Sequence, residues 1–177
     1  MNIINPKPHE IDEVLDFMNQ CDIAEFGEED TSREDMEQLW SEIDLAQDAW
    51  IVRDEQRRVV GYANVSDAGE GDQMDIYIHP TCTPAGIEDD LMRLCIERAG
   101  RRLVDPTRET QAFLTGYASS LNLRLQQVYE KSGFERHTYH FRMQIDLTSP
   151  VSPPEWPSNF HLADYRPEDE HELYTFI

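Results

Sequence analysis

A tyrosine near the end of a predicted helix is the side chain in this sequence best suited to donate a proton. Apolar residues recur at helical spacing just before it, at Leu121, Leu125 and Val128. Ser119 or Ser120 can cap the start of this helix, and Gly133 is expected to end it in the left-handed conformation, with a strand from Phe134. Tyr129 then lies one turn before the helix end. Its hydroxyl could protonate a leaving group there, or it could be an ordinary core phenol with its hydrogen bond satisfied.

Three side chains on or beside a predicted strand are candidate proton acceptors. Residues 74–78 have the composition of a strand, with Asp75 on it, Asp72 just before it and His79 at its exit. Carboxylates and imidazoles act as general bases when a site holds them near a substrate proton. Each of the three could instead be a solvated surface residue.

The histidines and cysteines do not predict a metal site. His137 and His140 fall on opposite faces of a strand, and Cys21, Cys82 and Cys95 lack metal-ligand spacing. The cysteines are therefore expected to be reduced and mostly structural thiols.

The elements that must position these side chains follow the order β-α-α-β-β-β-α-β-α-β-β. They comprise a strand at 3–4, helices at 11–18 and 33–43, strands at 49–52, 59–65 and 74–78, a helix at 86–101, a strand at 112–115, the helix that ends at Gly133, and strands through 134–147. Trp40, on the apolar side of the second helix, is expected in the core. This order indicates an α/β domain with a mixed sheet.

The run from Asn122 through Tyr129-Glu-Lys-x-Gly133-Phe134 resembles motif B of the GNAT (GCN5-related) N-acetyltransferases. The resemblance implies the GNAT fold over about residues 1–148, with a mixed central sheet, helices on both faces and splayed central strands. It also implies acetyl-CoA as co-substrate and direct acetyl transfer to an amine. In that family Tyr129 would protonate the departing thiolate, Asn122 would lie along the pantetheine, and Asp72, Asp75 or His79 would accept the amine proton.

The family's phosphate-binding motif A corresponds here to the segment 78–92. The resemblance assigns cofactor binding to this segment, at Ile78, His79, Thr83, Gly86, Ile87 and Glu88. Backbone N–H groups and the positive end of the helix dipole bind phosphate at such a helix start. Thr83 stands where a basic or amide residue is typical, Pro84 removes a donor, and Glu88 replaces a glycine. These departures leave open an alternative, an inactive pseudo-GNAT domain with a structural or ligand-binding role.

A proline-rich linker at 149–158 follows the predicted domain 1–148. After it, Arg166-Pro167-x-Asp169 echoes Lys7-Pro8-x-Glu10 at an offset of 159 residues. We interpret 159–177 as the start of a second GNAT-like copy, as in tandem proteins of the mycothiol-synthase type; coincidence between two acidic helix starts is the alternative. A second GNAT domain or a homodimer is the expected macromolecular partner.

Acidic residues outnumber basic residues by 36 to 15, and Lys7 and Lys131 are the only lysines. The formal charge of −21 excludes nucleic acid as an expected partner. The acids either attract a cationic amine or form a surface adapted to high salt, and their even spread favours salt adaptation. With no run of about 20 apolar residues and no signal peptide, the sequence predicts a cytoplasmic protein without a membrane partner.

Overall fold

The computed structural model describes residues 1–69, 71–78, 86–103, 113–143, 145–146, 148 and 152–176, with the side chains of 103, 172, 173 and 176 excluded. The chain divides into two compact units, Met1–His137 and Thr138–Ile177. Each is considered by itself.

The first unit is built on a five-stranded sheet in the order β1-β2-β3-β4-β5. Its strands are β1 Asn2–Ile4, β2 Ala49–Arg53, β3 Val59–Asp67, β4 Asp72–Ile78 and β5 Leu114–Gly116. The first four pair antiparallel, whereas β5 runs parallel to β4. A parallel pair needs a crossover connection, which here contains a long helix. The mixed sheet predicted from the element order is confirmed.

Helices cover both faces of this sheet. They are α1 Ile11–Phe26, α2 Arg33–Glu42, α3 Leu45–Asp48, α4 Ile87–Leu103 and α5 Leu123–Lys131. The apolar sides of α1 and α2 form one core with β2 and β3, and those of α4 and α5 form a second core on the other face. Trp40 is buried in the first core, where its indole N–H donates to the Tyr62 hydroxyl at 3.1 Å. Its predicted core position is confirmed.

Local signals set the ends of these helices. Ser32 and Asp35 exchange hydrogen bonds as a capping box at the start of α2. Gly27 ends α1 with φ of 85°. Gly133 adopts φ of 89° after α5, as predicted, and the Phe134 N–H returns to the Tyr129 carbonyl. No helix among the described residues is long and apolar enough to cross a membrane.

The predicted cap of α5 was wrong. Asn122 is the N-cap, and its side-chain oxygen accepts from the Leu125 N–H at 3.0 Å. The Ser119 hydroxyl instead accepts from the Leu121 N–H, in the turn before the helix. Leu121 therefore lies outside the helix and is exposed. Serine and asparagine cap almost equally well, so propensity could not choose between them.

The strands predicted through 134–147 were also wrong for the described residues of that segment. Apolar residues do alternate there, at Tyr139, Phe141, Met143 and Ile145, but all four are exposed. Alternation favours a strand only when a neighbouring strand supplies hydrogen bonds and a core covers one face. The described residues provide this segment with neither.

The second unit contains a 3₁₀ turn, Pro167–Asp169, followed by helix α6, Glu170–Phe176. The turn repeats the one at Pro8–Glu10 before α1. In each, the residue before the proline is extended, and an acidic side chain accepts its N–H: Glu10 from Lys7 at 2.7 Å, Asp169 from Arg166 at 3.2 Å. The sequence echo is thus matched by the same local backbone.

Candidate functional site

Strands β4 and β5 part halfway along β4. Their parallel ladder begins at Asp72 and Leu114 and ends at the pair Met74 and Gly116, whereas β4 continues to Ile78. The Asp72 N–H donates to the Phe113 carbonyl, so the backbone N–H and C=O groups of Asp72 point toward β5. Because this direction alternates along a strand, the groups of every second residue after Asp72 point the same way. The N–H groups of Ile76 and Ile78 and the C=O group of Ile76 therefore face the opening. An extended ligand could pair with them as an added strand would.

Tyr129 lies at the point where the strands part. Its hydroxyl is 3.4 Å from the Tyr117 carbonyl, and its ring packs edge-on against Phe134 at a centroid distance of 5.2 Å. Gly116 is the residue that leaves room for it, because a Cβ there would collide with the Tyr129 hydroxyl. Burial raises the pKa of Tyr129, with the charges of Asp75 and Cys95 adding to the effect. The phenol thus keeps its proton at neutral pH.

Asp75 lies on the opposite face of the sheet from Tyr129. Side chains alternate along β4, so Asp75 and Tyr77 point toward α1, whereas Met74 and Ile76 point toward α4. Asp75 accepts a hydrogen bond from the Asn64 amide at 3.4 Å. Burial raises the pKa of Asp75, opposed by hydrogen bonds from Asn64 and Gln73. A carboxyl group with a raised pKa is a better proton acceptor than a surface aspartate.

Asp72 occupies the far end of β4, where β4 and β5 are still paired. It is 1% exposed and lies 3.4 Å from the Arg102 guanidinium of α4. Arg102 also approaches Asp48 and Asp67, at 3.7 Å and 3.6 Å. The structure therefore gives Asp72 an ion-pair network that joins β4 to α4, and leaves Asp75 as the candidate base where the strands part.

Asn122 makes two structural contacts. Besides capping α5, its amide N–H donates to the Glu25 carboxylate of α1 at 2.5 Å. It therefore connects the start of α5 to the end of α1, near the place where the strands part. Its predicted contact with pantetheine stays a prediction.

The start of α4 is described from Gly86 onward; His79, Thr83 and Cys82 lie outside the described residues. Gly86 has φ of 101°, its carbonyl accepts from the Asp90 N–H, and no atom of the described residues would lie within 4 Å of a Cβ there. Ile87 is buried against the sheet. Glu88 turns its carboxylate to Arg124 of α5, with distances of 2.5 Å and 2.9 Å. The acid that replaces a glycine is therefore neutralised by a neighbouring helix.

Sequence reasoning missed three residues that shape this site. Gly116 comes directly after the strand predicted at 112–115 and belongs to no motif, and Asn64 lies inside a β-rich run. Arg124 pairs with an acid 36 positions away, a contact that no local pattern contains. A helix stop signal such as Gly133 can be recognised in the sequence because it acts on its own helix. The three missed residues instead contact residues of other helices and strands.

The family comparison covers most of the first unit. Residues 1–135 match the family model described as an acetyltransferase (GNAT) domain. A search of curated proteins finds no match.

Solved structures share this fold. A GCN5-related N-acetyltransferase from Sphaerobacter thermophilus superposes with a TM-score of 0.77 at 22% identity, covering 98% of this chain and 56% of that one. A ribosomal-protein-alanine N-acetyltransferase from Brucella melitensis has a TM-score of 0.59 at 18% identity, covering 76% and 85%. The Salmonella typhimurium protein yncA, solved with its cofactor acetyl-CoA, has a TM-score of 0.59 at 14% identity, covering 76% and 79%.

This chain thus spans little more than half the length of the Sphaerobacter protein. At these identities the structures establish the fold, and the family model establishes the relationship. The chain belongs to the GNAT acetyltransferase family.

Proposed function

We propose that the first unit transfers an acetyl group from acetyl-CoA to an amine. The observation that carries the proposal is the arrangement around the parting of β4 and β5, with the Tyr129 phenol on one face and the Asp75 carboxyl on the other. Acyl transfer to an amine needs a group that takes a proton and a group that gives one. These two residues supply both.

The described residues fit a coenzyme A thioester. The backbone groups of Ile76 and Ile78 would hold the pantetheine arm, and the start of the 17-residue helix α4, directly after Gly86, suits a phosphate. The negative charge of Glu88, which would oppose a phosphate, is compensated by Arg124. When bound, acetyl-CoA would supply an activated acetyl group.

Each residue then has a defined task. Asp75 would accept a proton on the α1 side of the sheet, since its raised pKa brings it closer to that of an amine. Tyr129 would hold a proton until a basic sulfur develops beside it, because burial keeps the phenol protonated. The Phe134 ring and Gly116 keep its hydroxyl at the end of β5.

Titration calorimetry with acetyl-CoA, followed by an acetyl-transfer assay against simple amines, tests this function. We expect Tyr129→Phe to keep acetyl-CoA affinity and to lower kcat about 10- to 100-fold, the usual range for a lost general acid. Tyr139→Phe, on an exposed ring of the second unit, is the matched control. A folded protein that binds no acetyl-CoA would instead support the pseudo-GNAT alternative, which the departures at Thr83 and Pro84 favour.

We further propose the tandem arrangement, in which domain 1–148 and linker 149–158 precede a second GNAT-like copy that begins at 159–177. The repeated capping turn and the greater length of the Sphaerobacter protein support it. Limited proteolysis should cut within 149–158 and leave a domain whose thermal midpoint and acetyl-CoA affinity equal those of the uncut chain. A large loss of either would mean that the residues after the cut belong to the first domain.

A further inference from the structure

Three buried or half-buried acids of the first unit differ from the others. Elsewhere such acids meet arginine: Asp48 with Arg98 at 2.5 Å, Asp72 with Arg102 at 3.4 Å, and Glu88 with Arg124 at 2.5 Å. Asp22, Glu25 and Asp75, which we name the acid cluster, have no cation within 4.0 Å among the residues that the structure describes. Charge away from water is costly unless it is compensated, so a cation would stabilise these three carboxylates.

The acid cluster adjoins the site where β4 and β5 part. Asp22 and Glu25 lie one turn apart near the end of α1, where the neighbouring Cys21 thiol donates to the Ile78 carbonyl at 3.6 Å. Glu25 also contacts Asn122, which fixes this end of α1 beside α5. Asp75 points from β4 toward the same helix.

Asn64 supplies an independent sign of a missing ligand. It is 0% exposed and pairs with Asp75 through its amide N–H, yet its carbonyl oxygen has no hydrogen-bond partner in the described part of the chain. Buried polar atoms are nearly always satisfied, so this oxygen calls for a donor. The Asn64 oxygen can therefore accept a hydrogen bond, and the three carboxyl groups of the acid cluster attract positive charge.

The environment of these carboxyl groups supports the same conclusion. Burial, together with the charge of Asp30, raises the pKa of Asp22 to about 6. Burial also raises the pKa values of Glu25 and Asp75. Ammonium groups would relieve this repulsion, since an N–H donor with a positive charge suits both a carboxylate and an amide oxygen.

We infer that the acid cluster and Asn64 bind an acceptor with two or more ammonium groups, such as a linear diamine. This inference rests on the proposed function for the reaction that the amine undergoes, but binding can be measured without it. One ammonium would lie at Asp75 and Asn64, and another at Asp22 and Glu25. An amine that carries its own carboxylate would be repelled.

Three probes of equal chain length test the inference: putrescine, with two ammonium groups; butylamine, with one; and γ-aminobutyrate, with an ammonium and a carboxylate. Titration calorimetry at about 0.15 M salt limits general attraction to the acidic surface. We expect putrescine to bind about 10-fold tighter than butylamine, or more, and γ-aminobutyrate to bind weakest. Equal affinities for putrescine and butylamine would overturn the inference.

Matched variants separate the site from the surface. Asp22→Asn and Glu25→Gln should each weaken putrescine binding about 10-fold, whereas Asp16→Asn, an exposed position of the same helix, should not change it. Equal weakening in all three would mean general surface attraction and would reject the site. If a variant fails to fold, the rise in thermal midpoint of the wild-type chain with putrescine against butylamine gives the same decision.

A parallel titration with acetyl-CoA distinguishes the two proposals. Putrescine binding without acetyl-CoA binding would keep the site and reject the transferase function. Acetyl-CoA binding without preference for putrescine would keep the function and reject the diamine.

Discussion

Tyr129 depends on a neighbour that has no side chain. A Cβ at Gly116 would collide with the Tyr129 phenol. Because the phenol is buried and packs against Phe134, the ring cannot move aside into solvent. The position of the proposed proton donor is therefore set by the sheet as well as by its own helix.

Gly116→Ala should displace the Tyr129 ring and lower the free energy of unfolding by about 1–3 kcal/mol, the usual cost of overpacking. Its kcat should fall with that of Tyr129→Phe. Urea unfolding and acetyl-transfer kinetics measure the two effects. Gly100→Ala, within helix α4, is the control. A Cβ there would have no neighbouring atom of the described residues within 4 Å, so the free energy of unfolding should stay equal or rise. Wild-type stability for Gly116→Ala would contradict the packing argument.

Asp22 gives the fold a pH dependence of predictable sign. Its pKa in the folded state, about 6, exceeds the ordinary aspartate value of 3.8, so the folded state retains a proton that the unfolded state loses. This contribution to stability is complete below about pH 4 and is lost as pH rises to about 6.

Asp22→Asn should therefore be more stable than wild type at neutral pH, by on the order of 1 kcal/mol, and equal to it near pH 4. Urea unfolding at both pH values measures the difference. Asp16→Asn should show no such crossover. A stability gain for Asp22→Asn that is the same at both pH values would show that the carboxylate charge is not its cause.

Residues with local signals were predictable, and those whose roles depend on packing were not. Tyr129 and Gly133 were found because helix periodicity and a stop signal surround them. The Asn64 carbonyl has no partner among the described residues, which depends on what packs over β3 after folding, and the Asp72 network depends on Arg102, about 30 positions away. Sequence alone offered both aspartates of β4 as bases with no means to rank them.

At the scale of elements, ion pairs join α4 to α5 across the proposed cofactor site. Glu88 pairs with Arg124 and is 7% exposed, whereas Asp89 pairs with Lys131 at 2.8 Å near solvent. The two pairs have the same charges but differ in burial.

Arg124→Gln should lower the free energy of unfolding by about 1–3 kcal/mol, because it leaves the Glu88 carboxylate buried without its arginine. Lys131→Gln should cost less than about 0.5 kcal/mol, as exposed pairs do. Chemical denaturation of both variants measures the two losses in the free energy of unfolding. Adding Glu88→Gln to Arg124→Gln should restore much of the loss, and a purely additive result would argue against coupling.

Element prediction succeeded where a segment carries its own periodicity and failed where it needs a partner. Helices α1, α2, α4 and α5 show apolar spacing that matches the faces they bury. The segment after Phe134 alternates as a strand does. A strand also needs hydrogen bonds to a neighbouring strand, and no described residue of this segment is paired in that way. Short α3, only four residues long, fell below any periodic signal.

At the scale of the whole molecule, the charge of −21 repels itself at low ionic strength. If the surface is adapted to salt, the free energy of unfolding should rise between about 0.1 M and about 1 M potassium chloride, since screening shortens the repulsion to a few ångströms. Urea titrations in the two buffers provide the measurement. Equal stability in both would reject salt adaptation and leave the acid cluster as the main role of the negative charge.

The family resemblance predicted the architecture of the first unit. The salt response expected from the composition and the second copy stay predictions. The Arg166 turn shows only that the chain uses the same helix start twice.

The Lys131 side chain, which pairs with Asp89, is one of two lysines in the sequence. The other is Lys7, and both lysines are exposed. Within these 177 residues, a domain proposed to acetylate amines therefore presents two lysine side chains to acetyl-CoA. Acetylation of either lysine would add to the mass of the protein, so intact-mass spectrometry would distinguish it from acetyl transfer to a free amine.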